Sequence, residues 1–163
     1  MASLSLAIRA SFDGVFTGSQ DLTSAVENIA IAKALSLANG TADNQANEFW
    51  SDQRTLAATS ENHDLYGSLT NALGDTIQFI KVRALMVFNR STTSGENLTL
   101  SGSFLELTPF GGTSPTIDVQ PSGVFLLTAP VDGMTVTDSS ADTLTINSGA
   151  ATIVHDIVIV GTT

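Results

Sequence analysis

The sequence predicts an all-β protein: an antiparallel β-sandwich, jelly-roll-like, with at most one short helix. Three observations carry this expectation. Apolar residues alternate with polar ones at period two in most segments, the pattern of half-buried strands. Turn signals recur roughly every 8–12 residues, giving about ten or eleven short strands and the spacing of a sandwich or barrel. Charged residues are only 13% of the chain, where about a quarter is usual. Solubility therefore falls to Ser, Thr, Asn and net negative charge, which suits β-branched interiors beneath a hydroxyl-rich surface. The 163 residues fit a single domain over residues 1–163, with residues 1–12 as a candidate N-terminal strand or arm.

Residues 3–12 alternate cleanly, with Leu4, Leu6, Ile8, Ala10 and Phe12 on one face and Ser3, Ser5, Ala7, Arg9 and Ser11 on the other. Such a strand could add to a neighbour's sheet edge. Asp13-Gly14 reads as the turn that ends it. Residues 21–40 carry competing signals. Ser24-x-x-Glu27 resembles a helix capping box and Asn39-Gly40 a helix stop, yet Ile29, Ile31, Lys33, Leu35 and Leu37 alternate at period two. A strand is favoured because the rest of the chain is β.

Residues 41–52 are polar and turn-like around the single Trp50. Short strands follow at 53–60 and 64–69 about a turn at 60–63, and a second turn spans 71–75. Residues 76–90 read as the longest strand and a central one. Its even face (Ile80, Val82, Ala84, Met86, Phe88) is apolar, and its odd face carries Lys81 and Arg83 between Phe79 and Leu85. Residues 91–97 turn, and Leu98 and Leu100 continue a strand. The apolar parity then shifts at Gly102, which marks a bulge or corner. Loop signals at 109–112, 121–123 and 132–133 separate strands at 117–119, 124–129 (buried) and 134–137. Strands at 143–147 and 151–160 close the fold, the last apolar on both faces apart from His155-Asp156 and hence mid-sheet.

Charge and composition narrow the function classes. Sixteen acids against six bases give a net charge of −10, which disfavours nucleic acid as a partner because phosphate contacts need clustered Lys and Arg. No run approaches the roughly 18 apolar residues of a membrane span. The start lacks the order of a secretory signal, since Arg9 follows the apolar positions instead of preceding them. With no Cys, disulfides and thiolate metal sites are excluded. All bases lie at or before Arg90, leaving residues 91–163 with acids alone.

No motif supports an enzyme. His63-Asp64 lies beside Ser60 in a predicted turn, but no Gly-x-Ser-x-Gly elbow accompanies it. His155 reads as a sheet or interface residue. Asp132-Gly133 with Asp138 and Asp142 lacks the ligand spacing of an EF-hand loop, and ordinary turn chemistry explains these acids. Phosphate-loop patterns are absent. No catalytic, cofactor-binding or metal residue is therefore assigned, and no cofactor is expected. The candidates are interface residues: Trp50 with Arg54, which shares a strand face with Asp52, then Tyr66, Lys81 and Arg83. Trp and Arg are interface hot-spot types, although Trp50 could equally cap the core and Arg54 pair with Asp52. Lys81 and Arg83 must meet acids or solvent, and the acids could belong to this or a neighbouring subunit. Across subunits, that pairing would loosen at high salt.

Several stretches resemble small tailed-phage virion structural proteins, similar to capsid decoration (cement) proteins. They are Ala-Asn-Gly-Thr-Ala-Asp-Asn-Gln-Ala-Asn-Glu-Phe-Trp at 38–50, Asp-Gln-Arg-Thr-Leu-Ala-Ala at 52–58 and Asp-Leu-Tyr-Gly-Ser-Leu-Thr-Asn-Ala-Leu-Gly at 64–74. The Pro121 turn, Ala-Asp-Thr-Leu-Thr-Ile at 141–146 and the segment from His155 to Gly161 add to it. Two positions depart from the pattern: Ser122-Gly123 replaces a double Gly, and His155 replaces an aromatic. The resemblance implies a virion component, not an enzyme, assembled in the bacterial host cytoplasm. It would form homo-oligomers, expected as trimers, and bind the major capsid protein. The alternative is a tail or baseplate β-sandwich module that could bind a glycan or receptor, with Trp50 and Tyr66 as its aromatic platform.

Overall fold

The computed structural model describes residues 4–19, 23–107 and 110–163. It is all-β and antiparallel apart from one short helix and one short parallel pairing. Two long strands, β1 (Leu6–Ser19) and β2 (Ser24–Asn39), form a ribbon, and β3 (Gln45–Ala46) joins the base of β2 in parallel. Then come β4 (Glu48–Ala57), β5 (Ser60–Asp64), β6 (Leu69–Thr70), β7 (Thr76–Ile77), β8 (Lys81–Asn89) and β9 (Leu98–Ser101). After α1 (Ser103–Leu107) the chain completes β10 (Ile117–Val119), β11 (Val124–Thr128), β12 (Met134–Thr135), β13 (Thr143–Asn147) and β14 (Thr152–Thr162).

Two sheets face each other. One has the order β11-β8-β14-β4 with β12 also on β8, and the other β10-β9-β13-β5. Val82, Leu85, Val87, Ile153, Ile157 and Ile159 of the first meet Leu98, Leu100, Val119, Leu144 and Ile146 of the second in one core. Gly102 makes the expected corner at φ +110°, where any Cβ would collide with the Thr143 carbonyl. The helix beyond it turns Phe104 and Leu105 inward to cap that core.

Several expectations are corrected. Asp13-Gly14 is no turn: both residues sit in the β1–β2 ladder, opposite Ala30 and Ile29. The ambiguous 24–38 segment is strand, and the ladder closes at Ser19 opposite Ser24. Ser3 and the start of the 21–40 segment lie outside the described residues, as do Thr108 and Pro109 at the 109–112 loop. Residues 60–63 are strand, not turn; the reversal falls at Ala58, whose φ is +52°. Residues 65–68 are turn where a strand was expected.

The 76–90 segment breaks between β7 and β8, and β2 is the longest strand. The expected face assignment of β8 also fails. The partners of β14 skip from Ala84 at Val160 to Val82 at Gly161, leaving Arg83 as the extra residue of a bulge. Val82 and Leu85 therefore both face the core, while Ala84 faces outward. β11 is an edge strand, not a buried one, with Val124 and Leu126 exposed.

Candidate functional site

Paired residues in an antiparallel ladder share a face. One face of the ribbon therefore collects Leu6, Ile8, Ala10, Phe12, Gly14 and Phe16 with their partners Leu37, Leu35, Lys33, Ile31, Ile29 and Glu27. The other is mostly small and polar, with Arg9, Ser11, Asp13 and Thr17 opposite Ala34, Ala32, Ala30 and Val26. At its base the apolar face does ordinary structural work. Leu4, Leu6, Ile8, Leu35 and Leu37 cover Ala84, Val158 and Val160 on the outer face of the β11-β8-β14-β4 sheet.

Past Ile8 and Leu35 the same stripe runs on uncovered. Phe12 is 67% exposed, Phe16 70% and Ile31 66%. The ladder shows no register shift along its 14 β1 residues, and the exposed stripe residues stand clear of the body. At about 3.4 Å per residue, positions 10–19 project on the order of 30 Å. A two-stranded ribbon by itself is marginal in water, and a contiguous exposed apolar stripe marks a surface meant for contact.

The body carries a matching open surface. On the same outer face Val124 is 58% and Leu126 37% exposed, and Met86 is half-buried. A groove of about 240 Å³ runs between Leu6 and Ile8 on one side and Met86, Leu126 and Val158 on the other. Among the described residues β1 pairs with β2 alone, so its far edge offers backbone donors and acceptors along this groove.

The sandwich interior holds a polar cluster that sequence reasoning did not assign. His155 of β14 lies opposite Arg54 of β4 and Asn89 of β8. His63 of β5 is buried with its ring centroid 5.3 Å from that of Trp50. Burial, with a smaller push from Arg54, lowers the His63 pKa to about 4 against a partial offset from Asp52. Burial likewise lowers His155, and His63 adds to the effect. Neither His155 ring nitrogen has a hydrogen-bond partner among the described residues. Strand alternation exposes Ser60 and buries His63, so the two do not converge on one site. Asn89 Nδ2 donates to the carbonyls of Glu96 (2.8 Å) and Val119 (3.0 Å), tying β8 to β10.

The predicted interface residues divide. Trp50 is buried in the core, and Arg83 is only 1% exposed. The Arg83 guanidinium donates to the carbonyls of Ala42 (3.1 Å), Pro130 (3.2 Å) and Val131. Both side chains are spent inside the subunit, which corrects the expectation that they face a neighbour. Arg54 pairs with Asp52 (3.0 Å) and Glu61 (3.2 Å), and Lys81 Nζ donates to the Asp132 carbonyl at 2.9 Å. Tyr66 is half-buried against the core, its backbone N–H on Asp64. The acids considered for a cation instead fix their own turn: Asp142 accepts from Ser139 N–H and Thr143 Oγ1, and Asp138 from Ser139 Oγ.

What sequence reasoning missed was the reach of the ribbon. Its signal was present in Phe12 and Phe16, which keep the parity of Leu6 and Ile8 across the supposed turn, and in Ile29 and Ile31, which keep that of Leu35 and Leu37. No protein-family pattern matches this chain, and no curated protein or solved structure matches it either.

Proposed function

We propose that the chain is a structural virion protein, a capsid decoration protein that binds the outside of a phage head and stabilises it by bridging capsomers. The observation that carries this reading is the projecting ribbon, whose apolar stripe outruns the domain it belongs to. A rigid sandwich with a long arm suits attachment to neighbours in a repeated lattice. Many such contacts, each modest, hold by multivalency. The partners are the major capsid protein and further copies of this chain, as trimers. The net charge of −10 suits a surface that stays off packaged DNA.

The test is electron microscopy of particles assembled with and without this chain. Heads that lose surface projections and burst on mild warming support the reading. Intact heads with defective tails would sink it and point to the tail or baseplate alternative. That alternative lacks a platform here, because the Trp50 indole faces the core.

A further inference from the structure

We infer that the uncovered half of the ribbon stripe seats on a second copy of this chain, against the open outer face formed by Met86, Leu126 and Val124. This names the self-contact of the decoration reading and rests on it. Three observations identify the occupant.

First, the contact already exists within one chain. Leu6, Ile8 and Leu35 cover Ala84 and Val158 of that outer face, and the distal stripe is the same face of the same ladder. Second, each copy carries both halves of an unfilled contact. Phe12, Phe16 and Ile31 stand exposed, while Leu126 and Val124 lie open beside the groove at the β1 edge. Within one chain the two halves do not meet, since Phe12, Phe16 and Ile31 stay exposed. Third, charge permits the approach. The described ribbon carries Arg9 and Lys33 against Asp13 and Glu27 and is neutral, whereas the body holds most of the −10. A neutral arm is the part of this molecule that another acidic copy repels least.

The arm stripe and the outer face are different patches, so the contact is heterologous; of the ring and the open filament such a contact can build, the proposal is the ring. The arm of the second copy lies along the free β1 edge and can add backbone hydrogen bonds there.

The experiment uses the full chain without any head. Light scattering after size exclusion reads the oligomer of wild type and of the double variant F12S/F16S. Both side chains are exposed, and circular dichroism checks that the variant keeps the wild-type spectrum. Wild type should be a closed oligomer, and the variant should dissociate with Kd raised at least about a hundredfold. Because the chain has no cysteine, every disulfide in F16C/L126C joins introduced residues, and peptide mapping separates the designed 16–126 link from 16–16 and 126–126 links. It should cross-link between copies under mild oxidation, whereas F16C/N62C, aimed at the other sheet, should not. A monomeric wild type, an unchanged F12S/F16S oligomer, or equal cross-linking of the two pairs overturns the inference. Failure of the decoration reading looks different: the chain oligomerises as described, yet particles lacking it are unaltered.

Discussion

At the scale of single residues, the buried histidines make the fold acid-sensitive. His63 and His155 are held neutral, with pKa values below the ordinary histidine value. The unfolded chain therefore binds more protons than the folded one between pH 6.5 and about 4, and stability falls as pH drops through that window. Urea midpoints should decline steadily from pH 7 to 4, and H63F should flatten the decline. A pH-independent midpoint above 4 would refute this account. Asp156 acts in the same direction: its hydrogen bond to Arg90 lowers its pKa, so its contribution is lost at more acidic pH than that of the histidines. Asn89→Ala should cost about 2–4 kcal/mol in denaturant unfolding, since it leaves the Glu96 and Val119 carbonyls unpaired. Arg83→Met strips the 41–42 and 130–131 loops of their shared donor and should cost about 3 kcal/mol. By contrast, the Arg54–Asp52 pair is half-exposed, and breaking it should change stability by under about 1 kcal/mol.

Among the elements, Gly102 is the joint on which the β9–α1 corner depends. Gly102→Ala forces a Cβ onto the Thr143 carbonyl at a positive φ, and thermal unfolding should show a loss of about 2 kcal/mol or more. The ribbon predicts the opposite result. Replacing residues 11–32 by an Asn-Gly turn should leave body stability within about 0.5 kcal/mol while abolishing self-association, because Phe12, Phe16 and Ile31 are exposed and belong to neither core cluster. Strands with strict alternation and flanking turn residues were legible from the sequence. β13 fell where Thr143–Asn147 predicts it, and β14 is the mid-sheet strand that the apolar run around His155 implies. Three kinds of feature were not. Asp13-Gly14 has turn chemistry but is overruled by a ladder that extends past it on both sides. The β8 faces invert at Arg83, because a bulge is set by the partner strand and leaves no trace in the bulged strand's own pattern. His63 looked like a turn residue because the β5 positions around it are polar, although alternation had already placed it inward.

For the whole molecule, the uneven charge takes on a different meaning. Arg54 and Arg90 pair with acids of their own chain, while Lys81 and Arg83 bond its carbonyls. None of these four cations is left to bridge copies. Salt should therefore not loosen assembly by the cross-subunit pairing that the sequence suggested. With an apolar contact between acidic copies, added salt screens repulsion, and sedimentation at rising NaCl should show association holding or tightening. A steep loss of oligomer would instead mean that ion pairs hold it. One feature of the large sheet bears on how the chain acquires its shape at all. Among the described residues β4 pairs only with β14, so Phe49 waits for Val160, and β8 waits for that same strand on one side. A growing chain thus carries β4 and β8 with a vacancy between them until the sequence near 160 is made. Such distant pairing puts folding in the slow range of milliseconds to seconds. During synthesis this molecule is least protected at the centre of its sheet, the region that is best protected once folding is complete.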